Sequence, residues 1–351
     1  MLKLNDLSKR QNEIMALLAD GNWLEATNIV RALSLTSSPA SIKRDIRALF
    51  LAGQIERFGS ARATKYRRAL SAQLMTPIDV NKYFAKPQDE RCSGIRFNLN
   101  IFSQLKSVQI FTAKEKLKLT SLLKEYTNNI KNLSSSLLKR EFERVTIDLS
   151  WKSASIEGNT YTLLETETLL KDGIPALGKT SEETTMLINH KLALDFIRKN
   201  HREFENINVS KIEHVHAQLS QHLGISKAIR KRMVGIIGTN YKPLENEFQI
   251  RENLEKACKL INDSKDVFEK TILAILFISY IQPFEDGNKR TARLIGNAIL
   301  LAHECFPLSF RSVEVNSYKK AILLFYEINN LYEFKNIFLD QAQFAVKEYF
   351  Q

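Results

Sequence analysis

Two apolar runs, Thr271–Tyr280 and Leu294–Leu301, are separated only by Ile281-Gln282-Pro283-Phe284-Glu285-Asp286-Gly287-Asn288-Lys289-Arg290-Thr291-Ala292-Arg293. Runs that are apolar all round predict helices buried on every side. The turn joining them must therefore enter the core as well, although it holds acids, a glycine, an asparagine and three cations. Such groups are costly to bury without partners, so the segment predicts a binding site. Backbone N–H groups of Gly287, Asn288, Lys289 and Arg290, at the start of a helix, would form a nest for phosphate. Asp286 could hold a hard cation such as Mg2+ against that phosphate, and Arg290 and Arg293, one turn apart, face the same anion. Phe284 is suited to anchor the loop in the core.

This stretch resembles the Fic motif, in which histidine, phenylalanine, an acid, glycine, asparagine, glycine or lysine, and two arginines follow in fixed order. Every fixed position matches except the first, where Gln282 stands for the histidine. The resemblance implies transfer of AMP from ATP to a protein hydroxyl on Ser, Thr or Tyr, with the histidine taking the hydroxyl proton. Glutamine is no usable base near neutral pH, so the chain is expected to be impaired by about 10²–10⁴-fold, whether the replacement is natural or engineered. Lys289 stands where glycine is commoner in the family. Lysine there is also found in the related Doc phosphotransferases, where it could crowd a phosphate subsite, which leaves phosphoryl transfer as a minor alternative.

The resemblance runs from about Lys114 to the C-terminus. Trp151-Lys152-Ser153-Ala154-Ser155-Ile156-Glu157-Gly158-Asn159 is similar to the family's inhibitory helix, around 150–159. There Ser153, Glu157 and Gly158 fill the motif, and Glu157 is implied to pair with Arg293 and displace the γ-phosphate. A helix end capped by Gly158 would also explain the glycine. Val234–Tyr241 is similar to the family's flap, a hairpin in which Ile236, Ile237, Gly238 and Thr239 would hold a target backbone by strand addition. Asn189, His190, Tyr318, Tyr326 and Asn330 fall where the family places core and adenine-side helices. AMP removal is open beside AMP addition.

The net charge of +12 is unevenly placed, since residues 1–70 carry twelve Lys/Arg against six Asp/Glu and so half of the excess. A helix from Ser8 with Ile14, Leu17 and Leu18 inward, stopped at Gly21, precedes a second from about Glu25 to Leu33. A third opens at Ser38-Pro39, with Ile42, Ile46 and Leu49 as its buried stripe. Ser41, Lys43, Arg44 and Arg47 project elsewhere, and Gln54–Phe58 with Thr64–Arg67 reads as a hairpin. The pattern resembles a winged helix-turn-helix that binds double-stranded DNA, with Arg57, Arg62, Lys65 and Arg67 near phosphates; protein docking is the competing use.

The expected fold is mainly α: a winged helix-turn-helix over 1–70, a partly ordered connector over 71–113, and an all-helical core with a short β-hairpin flap over 114–351. A DNA-binding regulator with a degenerate nucleotide domain, homodimeric on a palindromic operator, is the alternative function. His214, His216 and His222 have no zinc-site spacing and are read as core or surface residues. Lys227, Arg230, Lys231 and Arg232 are read as a solvated basic face. Three separated cysteines, Cys92, Cys258 and Cys305, fit free thiols in a reducing cytoplasm, either bacterial or that of a host cell receiving an effector. No apolar run is long enough for a bilayer, and no targeting signal is visible at the N-terminus.

Overall fold

In the computed structural model, residues 7–18, 23–91, 96–106 and 108–351 are described, Arg62, Leu70 and Ser71 by their backbone alone. The residues expected to form the winged unit fold around a small core of their own. Helices Lys9–Leu17, Ala26–Leu33 and Pro39–Leu51 are followed by strands Ile55–Phe58 and Lys65–Arg68, which pair antiparallel with Arg57 opposite Tyr66. A third strand, Leu24–Glu25, adds to the free edge of Lys65–Arg68. Its two residues carry no alternation from which a strand could be read. Ser8 and Gln11 form a capping box on the first helix, and Ser38 with Pro39 starts the third. Ile14, Ile29, Ile42, Ile46, Leu49 and Ile55 share the core. Buried Asp45 on the third helix takes Arg10 and Gln11 of the first, which fixes how the two cross. Gly21, the expected stop of the first helix, lies outside the described residues.

The described residues between 71 and 113 include regular structure that carries no clear sequence period. Short helices Val80–Phe84, Gln88–Arg91 and Ile101–Leu105 occur there, and Phe97, Ile101, Phe102, Leu105, Ile110 and Phe111 enter the same core as the long helices. Phe102 stacks on Phe277 at 5.0 Å and Phe97 on Tyr280 at 4.6 Å. A segment that wraps another element buries side chains wherever the partner lies, so it shows no helical period.

At the centre of this core Val267–Ile281 packs along Asn288–Ala302. Gly296 lets them approach, for a Cβ there would stand 2.7 Å from the Ile275 side chain. Around them lie helices Ala113–Asn132, Ser135–Ile156, Ser181–Lys199, Val209–Leu219, Glu247–Asp263, Val315–Ile328 and Tyr332–Glu348. Their polar outer faces and apolar inner faces account for the mainly α fold. Cys258 and Cys305 are free and buried, and burial pushes both thiols up to about 12. Cys92 lies outside the described residues. No described helix is long and apolar enough to cross a membrane.

The flap differs from expectation. Val234–Tyr241 has no strand pairing, and Ile236, Ile237, Gly238 and Thr239 lie in an irregular loop with Ile237 fully exposed. Next to it Lys242 makes a single parallel bridge with Arg96. A short hairpin with no sheet to pack on is marginal in water, and glycines at 235 and 238 weaken it further.

Candidate active site

The first central helix ends because Gln282 takes a left-handed backbone, φ 52° and ψ 60°, and the second begins at Gly287, φ 76°. Between them Phe284 is fully buried, its ring stacked on the His216 imidazole at 3.7 Å and 6°. Asn288 closes the turn: its Oδ1 accepts from the Phe284 amide at 2.8 Å, and its Nδ2 donates to Phe284 O at 2.8 Å and to Gln282 Oε1 at 2.9 Å. The turn is therefore held from within before any ligand arrives.

Gln282 is spent on this framework. Its Nε2 donates to Ser279 O at 2.6 Å and to the Tyr326 hydroxyl at 3.2 Å, while its Oε1 accepts from Asn288. An amide so engaged shapes the turn and can take no proton from a substrate. His216 is no substitute, because it is fully buried and its Nε2 lies 3.1 Å from Ser226 O. Burial lowers its pKa to about 4, with the Ser226 hydrogen bond opposing and Arg290 assisting, so it stays neutral at pH 7.

Arg230 corrects the reading of a solvated basic face. Its guanidinium is 1% exposed and donates to Gln282 O at 2.6 Å, Arg232 O at 2.7 Å and Leu244 O at 2.5 Å, while its amide donates to Pro283 O at 2.9 Å. Three inward carbonyls offset part of the cost of burial, whereas Lys227, Lys231 and Arg232 of the same run remain exposed. Nothing in the run Lys227 to Arg232 distinguishes the cation that turns inward.

Arg290 and Arg293 project from the first turns of the second central helix, 2% and 0% exposed. Arg290 Nη2 donates to Asp286 at 2.8 Å, and its Nε and Nη1 meet no partner among the described residues. Asp286 itself stands at the mouth with 65% of its side chain exposed. Arg293 Nε donates to Ser153 Oγ at 2.9 Å, and its Nη2 to Ser153 O at 2.9 Å and Glu157 Oε1 at 3.0 Å. Glu157 comes from the end of Ser135–Ile156, where Gly158, φ 101°, breaks the helix. The pairing with Arg293 is thus in place, and the capping role of Gly158 holds beside it.

Lys289 does something its place in the motif does not suggest. Its ammonium lies 2.9 Å from Glu157 Oε2, so each oxygen of that carboxylate has its own cation. Burial would raise the Glu157 pKa, but Arg293 and then Lys289 outweigh it and hold the carboxyl down at about 2.

The arrangement is a cationic recess at a helix N-terminus with a carboxylate across one side. It can take a polyanion through Arg290, Arg293 and the amides from Gly287 onward once Glu157 moves. No cluster of three or more acidic, His or Cys ligands occurs among the described residues. Asp286, exposed at the mouth, would suit Mg2+ as a shared ligand with a polyphosphate, which is how that ion is commonly held. Ser41, Lys43, Arg44, Arg47 and Lys65 belong to the N-terminal unit. Lys43, Arg44 and Arg47 are exposed on the third helix, while Ser41 is drawn into the cap through Ser38 Oγ at 3.0 Å. Lys65 lies 3.9 Å from Glu25, Arg67 is paired to Glu56 at 2.7 Å and lies over the Trp23 ring, and the Arg62 side chain is outside the described residues.

The Fic/DOC family model matches residues 206–300. A protein adenylyltransferase fic-1 of Caenorhabditis elegans is 25% identical over 221 residues, which are 61% of this chain and 43% of the relative. A protein adenylyltransferase Fic of Nematostella vectensis is 29% identical over 190 residues, 52% of this chain and 43% of the relative. The matched stretch is under half of these curated relatives' length. Among solved structures, Fic-1 (aa134 - 508) from C. elegans superposes with a TM-score of 0.60 at 18% identity, over 97% of this chain and 98% of that one. A Fic domain containing signaling protein from Bacteroides thetaiotaomicron gives 0.56 at 20% identity, over 66% and 96%. At these identities the superpositions speak for the fold.

Proposed function

Because this chain carries a domain of the Fic/DOC family, we propose that its recess binds Mg2+ and ATP and serves transfer of AMP to a protein hydroxyl, with Glu157 holding the site shut. The observation that carries the reading is the pair of buried guanidiniums at the start of one helix, Arg290 with two unpartnered donors and Arg293 facing a carboxylate. Buried charge of one sign is costly unless a counter-charge meets it. Glu157 supplies part of that charge, and a polyphosphate would replace it.

In this reading the recess orients the nucleotide and Arg290 meets its phosphates. Asp286 exchanges Arg290 for the metal, which would neutralise phosphate charge. No base stands at position 282, since Gln282 cannot accept the hydroxyl proton. We expect Glu157→Gly to bind ATP more tightly in the presence of Mg2+ by calorimetry. Adding Gln282→His to that variant should raise AMP labelling, of the chain itself or of a protein target, by about 10²–10⁴-fold. Nucleotide binding unchanged by Glu157→Gly, together with no labelling in the double variant, would defeat the proposal.

A specific observation supports a second, compatible reading for the N-terminal unit. Lys43, Arg44 and Arg47 are exposed on the helix that follows the turn, and no ion pair is formed by them among the described residues. That is the disposition of a helix offered to the major groove of double-stranded DNA.

A further inference from the structure

The residues matching the flap are not free: the chain's own segment already lies against them. Arg91 Nη2 donates to Gly238 O at 2.5 Å, Gln88 Nε2 to Asn240 Oδ1 at 2.6 Å, and Asn240 Nδ2 to Asp89 at 2.8 Å. Beyond them Arg96 makes its parallel bridge to Lys242 and lies 3.6 Å from Glu245. One stretch of chain thus meets one side of another at successive points, with one main-chain carbonyl already taken. The contact is made by the side chains of the helical turn Gln88–Arg91 on an irregular loop, and it takes the Gly238 carbonyl that a docking backbone would need.

Arg91 is also tied down from behind. It donates to both oxygens of Glu327, at 3.1 and 3.2 Å, and the Tyr83 hydroxyl donates to the same carboxylate at 2.8 Å. The Arg91 and Glu327 side chains are 8% and 1% exposed, so water does little to loosen the pair. Glu327 follows Tyr326, whose hydroxyl accepts from Gln282. The loop it contacts is anchored through Tyr241, whose hydroxyl donates to Tyr280 O at 2.8 Å.

We propose that residues 88–91 with Arg96 are an intramolecular occupant of the flap, so that a protein target must displace Arg91 from Gly238 before its own backbone can dock there. This rests on the proposed transfer to a protein hydroxyl, and it adds a control separate from Glu157. Glu157 governs the nucleotide, whereas Arg91 governs access of the second substrate. The occupant lies between the N-terminal unit and the core in sequence, so a partner that shifts the former can pull on it.

The test uses the full chain and reads amide exchange over the occupant, 88–91, where the Glu90 and Arg91 amides donate to Pro87 O. Arg91→Ala should speed exchange there by about tenfold, the worth of one charge-assisted hydrogen bond, with no change over 147–156. Because that variant leaves Glu327 buried without its arginine, Gln88→Ala combined with Asp89→Ala supplies a surface variant that should act in the same direction by a few-fold. Unchanged exchange in both would overturn the proposal. In the Glu157→Gly, Gln282→His background, either change should also raise the rate of self-labelling with AMP. An equal or lower rate would show that the segment supports the flap and does not block it. If that background takes no label at all, the transfer reading fails, and the occupant is decided by exchange alone.

Discussion

Two regions of this chain gather positive charge, and they do so in opposite ways. On the third helix of the N-terminal unit Lys43, Arg44 and Arg47 stand in solvent. At the turn between the central helices Arg290 and Arg293 are buried, and each is met by an acid, Asp286 and Glu157. Exposed cations attract any polyanion, and their pull fades with salt. Buried cations require a counter-charge at fixed distances, so they select a ligand by geometry and can be switched by whatever carboxylate fills the space first. On the proposed reading the contrast separates a surface suited to a long polyanion from a recess suited to one small anion.

The sharpest way to break the comparison is to remove charge from the exposed region alone. Replacing Lys43, Arg44 and Arg47 together by alanine should weaken binding to a DNA duplex by about 10³-fold at low salt, at roughly 1.5 kcal/mol or more for each charge-assisted contact. The slope of log affinity against log salt should become shallower by about 2.7, while ATP binding to the core is unaffected. A gel-shift series at rising salt measures both. A duplex that binds the triple variant as well as the parent would show that these cations are an ordinary solvated face.

The buried region has its own signature in acid. The Glu157 carboxyl sits at about 2 in the folded chain against an ordinary 4.5. A lowered folded-state pKa contributes stability that is complete above the ordinary value and disappears as pH falls through 4.5 towards 2. The displacement corresponds to roughly 3 kcal/mol, at 1.36 kcal/mol per unit. We expect denaturant midpoints of the parent to fall over that window beyond those of Glu157→Gln, whose amide cannot titrate. Parallel pH profiles would mean that Arg293 and Lys289 do not grip the carboxylate.

The central turn was legible because its chemistry is contiguous: acids, glycine, asparagine and arginines within thirteen residues form one structure. The third N-terminal helix was legible from its cap and period, Ser38-Pro39 and the Ile42, Ile46, Leu49 stripe. The pairing of Glu157 with Arg293 joins residues 136 apart, and only the likeness to a family brought them together. Where neither contiguity nor likeness helped, the contacts could not be read. Arg230 turns inward because carbonyls 14 and 52 residues away accept it, and Lys289 reaches a glutamate 132 residues upstream. Arg91 meets a carbonyl 147 residues downstream. The flap differs for another reason: β-branched residues at 234, 236 and 237 raise strand propensity, but no neighbouring sheet among the described residues satisfies it.

The smallest expected effect sharpens the comparison from inside the turn. Gly287 has φ 76°, and a Cβ there would stand 3.4 Å from His216 Cε1 and 3.6 Å from Arg290 Nη2. Gly287→Ala therefore adds backbone strain of about 1 kcal/mol or slightly more and presses on the ring that supports Phe284. The fold should survive, with a denaturant midpoint lowered by that amount. Nucleotide affinity should fall further than stability does if the proposed site is right, because the Asn288, Lys289 and Arg290 amides would shift relative to the phosphate. DNA binding by the N-terminal unit, which shares no residue with the turn, should be unchanged. Equal losses of stability and affinity would mean that the glycine serves only the turn's conformation.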